Sequence, residues 1–420
     1  MRARFRPVPL LLAAACGGGG AATAEGDWRA TRNTIGDTIV VTTVSGSTWQ
    51  RPRALVPEVR IGELEGADEY LFGQVQSLAV DAAGRIYVFD WQVPALRVYD
   101  ADGRFVRTIG REGGGPGEYK QPDAGLIVLP DGRTLLRDPG NGRINVYGPD
   151  GTPLDSWPVR ASHYSSRPFY SDTAGNVYSY VFGLDRGDGR DAALIRYSPQ
   201  GDVLDTLDLP QRDYEAPTIT AAVEGARQTW LVPFSPRAAW TYSPHGYFVQ
   251  GVGTSYAVDL LRGEAGVLRI GRRTEPVPVA ASERAYEEDR VSRAMRRLDP
   301  AWSWNGPPIP ETKPPFRDIA VATDGRIWVQ LHQPGHEVAD AAPEDGGTRA
   351  GEPPAPARWA EPVVYDVFRP DGTYLGEVHA PDGFQTSPTP LFGADRVWAV
   401  IEDELGVNYV VRLRLETATG

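Results

Sequence analysis

The chain reads as all-β: six four-stranded sheets arranged as a β-propeller, closed by an N-terminal strand and carrying one inserted helix. Three observations predict this. The stretch Gln76–Tyr119 contains four short strands separated by glycine turns. Its turn signal recurs along the chain at intervals that define six units. Hydrophobic residues make up 41% of the sequence with 47 glycines and 37 prolines, a turn-rich globular balance rather than a disordered one.

The first unit sets the pattern. Gln76–Val80, Arg85–Asp90, Leu96–Tyr99 and Arg104–Ile109 are rich in β-branched and aromatic residues, which suit a pleated, half-buried surface. Ala82-Ala83-Gly84 and Ala101-Asp102-Gly103 supply tight turns between them. One such sheet has two raw edges and cannot bury a core alone, so it needs siblings. The first turn recurs at Pro130-Asp131-Gly132, Thr173-Ala174-Gly175, Pro244-His245-Gly246, Thr323-Asp324-Gly325 and Gly393-Ala394-Asp395. The second recurs at Pro149-Asp150-Gly151, Pro199-Gln200-Gly201 and Pro370-Asp371-Gly372, with Gly263-Glu264-Ala265-Gly266 as its counterpart in the fourth unit. The sixth unit ends early, after Tyr409–Leu415. Its missing strand has a replacement near the start of the chain, where Val59-Arg60-Ile61-Gly62 echoes Val106-Arg107-Thr108-Ile109-Gly110. Thr38–Val44 reads as one further strand.

Arg85–Asp90, Leu96–Gly110 and Gly115-Pro116-Gly117-Glu118-Tyr119 resemble an NHL-type propeller repeat, and Asp138–Tyr147 is similar. The whole chain resembles the bacterial six-bladed β-propeller lipoproteins. That resemblance implies the fold. It implies no single activity, because the family spans binding scaffolds, lyases and lactonase-like enzymes. It also implies that Asp90 and Asp138, at matching strand ends, stabilise the loops that follow.

The N-terminus carries its own signal. Arg2, Arg4 and Arg6, an apolar run Leu10–Ala15 and small residues form a secretory leader over residues 1–15, too short to span a bilayer. The single cysteine, Cys16, excludes an intramolecular disulfide and resembles the lipidated cysteine of a bacterial lipobox, with Ala in place of Leu three residues earlier. Ordinary cleavage at a small-residue site is the alternative. Residues 16–27 are then expected to be a flexible tether and 28–420 the propeller. These features predict a bacterial cell-envelope protein bound to the membrane by a lipid anchor, as a monomer. Net charge is −12, and removing the three leader arginines leaves about −15, which argues against a nucleic-acid surface.

An antiparallel meander alternates its connections between two ends. The compact glycine turns fall at one end. The long connections fall at the other, including insertions over about 279–315 and 332–362. Elaborated loops on a rigid scaffold are where binding sits. This face therefore carries the candidate ligand-binding residues His163, Tyr164, Trp230, Trp302 and Trp304. The first insertion contains a helix, Ser282–Leu298, with Val291, Ala294, Met295 and Leu298 as its apolar stripe and Ser282 as its N-cap. Trp302 and Trp304, in a proline-rich loop, either stack on a ligand or pin the helix to the rim.

The sequence offers little for catalysis. His332 and His336 stand four apart, but Pro334-Gly335 forbids a helix between them. Asp185, Asp188 and Asp191 form an oxygen-rich loop whose spacing fits no standard calcium site. No cofactor is predicted; calcium or another divalent metal is the open alternative. No nucleophile motif is present, so the catalytic residues are unassigned. The leading reading is a binding or scaffold module for a glycan, peptide or partner protein. The alternative is a metal-dependent hydrolase or lyase, lactonase-like, with its site at the central channel mouth.

Overall fold

A computed structural model describes residues 21–159, 164–184, 192–338 and 358–418. The first sheet consists of Val75–Val80, Ile86–Asp90, Ala95–Tyr99 and Phe105–Ile109, antiparallel throughout. Its second strand is buried along its whole length, because both of its faces meet other sheets. Gly84 and Gly103 hold φ of 80° and 84°, the left-handed values the turns require.

Four further sheets repeat this meander in chain order, beginning at Leu126, Tyr170, Ala238 and Asp318. The sixth contains Phe384–Gln385, Leu391–Phe392, Arg396–Glu402 and Asn408–Thr417. Its outer strand is Arg53–Ile61, antiparallel to Asn408–Thr417.

The cores lie between sheets. Phe89, Leu96 and Leu136 pack between the first and second, and Ile144, Trp157 and Val181 between the second and third. Tyr178 and Tyr242 join the third to the fourth, and Val258 and Ile327 the fourth to the fifth. Trp328 and Leu413 join the fifth to the sixth, and Val410, Ile61 and Ile86 the sixth to the first. Each fully buried aliphatic side chain contributes about 1.5–3 kcal/mol.

The second-turn glycines show why the sheets nest. A Cβ on Gly151 would meet Ile109 of the preceding outer strand at 3.1 Å, and one on Gly201 would meet Trp157 at 2.3 Å. Gly103 stands against Val59 and Ile61 in the same way, at 2.9 and 3.0 Å.

One expectation changes at the N-terminal end. Residues 21–27 are not a free tether in this structure: Ala21–Glu25 is a strand paired with Trp28–Ile35. Thr38–Ser45 continues that annex and runs parallel to Val267–Arg272, the outer strand of the fourth sheet. Trp28 and Val41 become buried there, which explains why these residues are ordered.

Helix α1 spans Ala281–Leu298. Its N-cap is Ala280, without a side-chain cap, so Ser282 lies inside the first turn rather than capping it. Val291 and Met295 are buried, as the stripe requires.

Candidate functional site: a capped channel mouth

Each inner strand begins at the long-loop end of the disc, so the residues just before it stand at the rim of the central channel. A second layer is built on part of this rim. Helix α1 packs against the hairpin Thr218–Val223/Ala226–Leu231 and against Arg358–Ala360. These three pieces come from the connections after the third and fourth sheets and from inside the fifth. The helix and the hairpin share a separate core in which Val291 and Met295 meet Ile219, Val232 and Ile309.

Three of the sequence candidates lie in this cap. Trp302 is 5% exposed and its indole N–H donates to the Thr220 carbonyl at 2.9 Å. It is a core residue, so its ring offers no stacking face; this corrects the ligand-stacking expectation. Trp304 is half-buried and donates to the carbonyls of Gly306 and Pro307 at 3.0 and 2.9 Å. The two rings pack edge to face, 6.3 Å apart. Trp230 is half-buried beside the Arg290 guanidinium, 5.5 Å from its ring centre. All three hold the cap together. Tyr164 is separate from them and exposed. Cys16, His163, Asp185, Asp188 and Asp191 lie outside the described residues.

His332 and His336 do not converge. His336 is exposed at the start of a short strand, whereas His332 Nδ1 lies 3.0 Å from a Glu361 carboxylate oxygen. That carboxylate belongs to a buried cluster not evident in the sequence. Lys313 Nζ donates to Glu283 at 2.6 Å, to Glu361 at 3.0 Å and to the Gln333 carbonyl at 3.0 Å. The Lys313 side chain is fully buried. Its ammonium is the cation between the two carboxylates, and Glu283 belongs to the first turn of α1. Burial alone would raise the Glu361 carboxyl. The His332 hydrogen bond and charge, the Gln333 N–H and Lys313 outweigh it and hold the group at about 2. The cluster latches the cap to the fifth sheet. Among the described residues no group of three or more His, Cys, Asp or Glu is placed to hold a metal ion.

The rim itself is polar. Arg237 and Arg317 occupy the same place, directly before the inner strands Ala238–Tyr242 and Asp318–Val321. Both are exposed, and among the described residues neither has a hydrogen-bonding or ion-pair partner for its side chain. Although Arg237 keeps an exposed side, partial desolvation by the protein around it and the neighbouring Arg317 guanidinium hold it below the usual arginine range, with Glu287 of α1 opposing. Arg167, before the inner strand of the third sheet, lies over the Trp240 ring at 4.0 Å and donates to the Trp240 carbonyl at 3.2 Å. Asp318 completes this arc. Its crowded surroundings push its carboxyl up despite Arg167 and Arg317, and it accepts the Ile319 N–H at 2.8 Å. A second arc, at the sixth and first sheets, encloses a cavity of about 200 Å³ lined by Gln74, Gln76, Gln385, Ser387, Glu402 and Asn408. Between the arcs, Arg137 and Asp123 form a buried pair at 2.7 Å, and Arg137 reaches Ser179 across the sheet boundary.

Asp90 and Asp138 are structural, as the resemblance implies, but each ties the connection before its sheet as well as the loop that follows, the latter through Val93 and Asn141. Asp90 accepts the N–H groups of Gly73 and Gln92 at 2.7 and 2.9 Å, and Asp138 those of Lys120 and Gln121 at 3.0 and 2.9 Å.

Comparison with known proteins bears on the fold. Residues 55–130 match a family model described as a 6-bladed beta-propeller. The fold is a six-bladed β-propeller. A crystal structure of a DUF4221 family member from Bacteroides vulgatus superposes with a TM-score of 0.50 at 10% identity, covering 88% of this chain and all of that one. Virginiamycin B lyase from Staphylococcus aureus gives 0.38 at 8% identity, over 81% of this propeller and 94% of the lyase. The calcium-binding protein regucalcin from Agrobacterium tumefaciens gives 0.37 at 10% identity, over 87% and 97%. These identities speak to fold alone. No curated protein matches the chain.

Proposed function

We propose that this propeller is a binding module of the bacterial cell envelope, tethered through Cys16 as a monomer, that takes its ligand at the capped end of the central channel. One observation carries the reading. Among the described residues, the connections after the third and fourth sheets emerge at one end and there build a second layer with its own core, while the glycine turns at the opposite end stay compact. Ordering extra residues costs about 1–2 kcal/mol each in backbone entropy, so an ordered layer on one face needs a packing return, and the function it serves is sought at that face. The leader and Cys16 support the location.

Two experiments test this. Gln74→Trp fills the cavity at the rim, whereas Asp102→Trp alters only a compact turn at the other end. In a screen of envelope glycans and peptides, Gln74→Trp should abolish binding and Asp102→Trp should leave it intact; the reverse pattern rejects the capped face. Cys16→Ala should release the protein from membranes, and full membrane retention would reject the anchor.

A further inference from the structure

The rim has two chemically different arcs, and together they specify a ligand class. Hydroxyl-rich ligands are matched by side-chain amides, each of which donates and accepts. Gln74, Gln76, Gln385 and Asn408 bring four amides to the cavity at the sixth and first sheets. Across the channel, the third, fourth and fifth sheets contribute Arg167, Arg237 and Arg317. Elsewhere on the blades arginines meet carboxylates: Arg85 meets Asp81 at 2.6 Å, Arg133 meets Asp131 at 2.8 Å, Arg269 meets Asp259 at 2.7 Å and Arg326 meets Asp324 at 2.6 Å. Arg237 and Arg317 have no such partner among the described residues, although the chain carries a net charge of −12. Glu287 and Asp318 act on these two neighbouring guanidiniums from nearby, but among the described residues no carboxylate is in direct contact with either, so part of their mutual repulsion remains. A bidentate oxyanion relieves that repulsion and matches the planar fork of arginine.

We propose that the ligand is an acidic oligosaccharide, its hydroxyls held by the amide arc and its carboxylates by Arg237 and Arg317. This rests on the capped mouth being the binding site. Arg167 is fixed against Trp240 and contributes charge more than a free fork. Asp318 opposes the ligand's charge and sets an upper limit on affinity.

The test is calorimetric titration of the purified mature chain with a galacturonic acid trimer, a neutral galactose trimer, tri-glutamate and inorganic phosphate. The acidic sugar should bind at least tenfold more tightly than the other three, and more weakly as salt rises. Arg237→Gln and Arg317→Gln should each weaken it about tenfold with an unchanged melting temperature, and Asp318→Asn should strengthen it. Equal binding of the neutral trimer, undiminished by the arginine variants but blocked by Gln74→Trp, would overturn the acidic class and leave the mouth as the site. Tri-glutamate or phosphate binding as tightly as the acidic trimer would overturn the sugar. Acidic-trimer binding that survives Gln74→Trp would overturn the mouth itself.

Discussion

Lys313→Met tests how the cap is held. The wild-type ammonium lies 2.6 Å from Glu283 and 3.0 Å from Glu361, with its side chain fully buried. Met keeps most of the apolar stem and removes the charge. Two carboxylates then face each other out of water with only His332 beside them. Removing one partner of a buried ion pair costs about 3–5 kcal/mol. The lost bond to the Gln333 carbonyl adds about 1 kcal/mol. A loss of about 4 kcal/mol is close to a thousandfold in an opening equilibrium. It should fall on the cap, because the cap core around Val291 and Met295 is separate from the inter-sheet cores. Native-state hydrogen exchange reads this directly: amides in Ala281–Leu298 should exchange about a thousandfold faster, while those in Ile86–Asp90 keep their protection. Adding Glu283→Gln and Glu361→Gln to the Lys313 variant should recover most of the loss, since it comes from stranded charge. Helix exchange within threefold of wild type, or equal acceleration in the first sheet, would refute the latch.

Three further predictions concern the same framework. Glu361 titrates at about 2 against an ordinary 4.5, so its contribution of roughly 3 kcal/mol is present above pH 4.5 and is lost as pH falls towards 2; helix exchange corrected for its intrinsic pH dependence should accelerate over that window, and Glu361→Gln should flatten the response. Gly103→Ala and Gly246→Ala share φ near 84° and 82°, but a Cβ at Gly103 meets Val59 at 2.9 Å while none meets an atom within 4 Å at Gly246; both lose about 1–2 kcal/mol to left-handed strain, and urea unfolding should show about 1–3 kcal/mol more lost at Gly103. Asp366 accepts the Tyr256 and Tyr374 hydroxyls at 2.6 Å each and pairs with Arg272, which also meets Glu377 at 3.1 Å; Asp366→Asn should lower stability by about 2–3 kcal/mol in the same assay by weakening these charge-assisted bonds between the fourth and fifth sheets while Glu377 still holds the arginine.

How much of this was legible in the sequence depended on how local the signal was. The four strands of the first sheet and their glycine turns were readable because strand period and turn chemistry act over a few residues. The likeness of Val59–Ile61 to Val106–Thr108 was readable as a repeat, and those residues do lie opposite Val410–Arg412. Thr38–Val44 was readable as a strand, but its place escaped, because it docks on Val267–Arg272 in a parallel pairing between remote segments that no turn announces. Glu283, Lys313, His332 and Glu361 come from four separate segments, so no linear spacing marks their cluster. The tryptophan rings were legible as aromatics in a loop, but which way they face is decided by the hairpin Thr218–Leu231 beneath them. Arg237 and Arg317 did leave a trace, each standing one residue before an inner strand. The trace is visible only once the strand bounds are known, because arginine is common throughout the chain.

The asymmetry of the cap constrains how a ligand reaches the mouth. Its pieces come from the connections around the third, fourth and fifth sheets, and they stand beside Arg237 through Glu287 and Arg290 of α1. The sixth and first sheets contribute shorter connections, and the Asp403–Val407 turn closes there with a hydrogen bond at 3.1 Å. The amide arc is therefore the open side, and the arginine arc is the side the cap partly screens, with both guanidiniums still in contact with solvent. A ligand entering past Gln74 and Gln385 meets exchangeable amide contacts first and the fixed positive charges last. Charge–charge attraction is stronger where water is partly excluded, so covering the arginines raises their effect on a bound oxyanion. On this geometry loosening the latch weakens acidic ligands more than neutral ones, because it rehydrates the arginine side and leaves the amide side as it was.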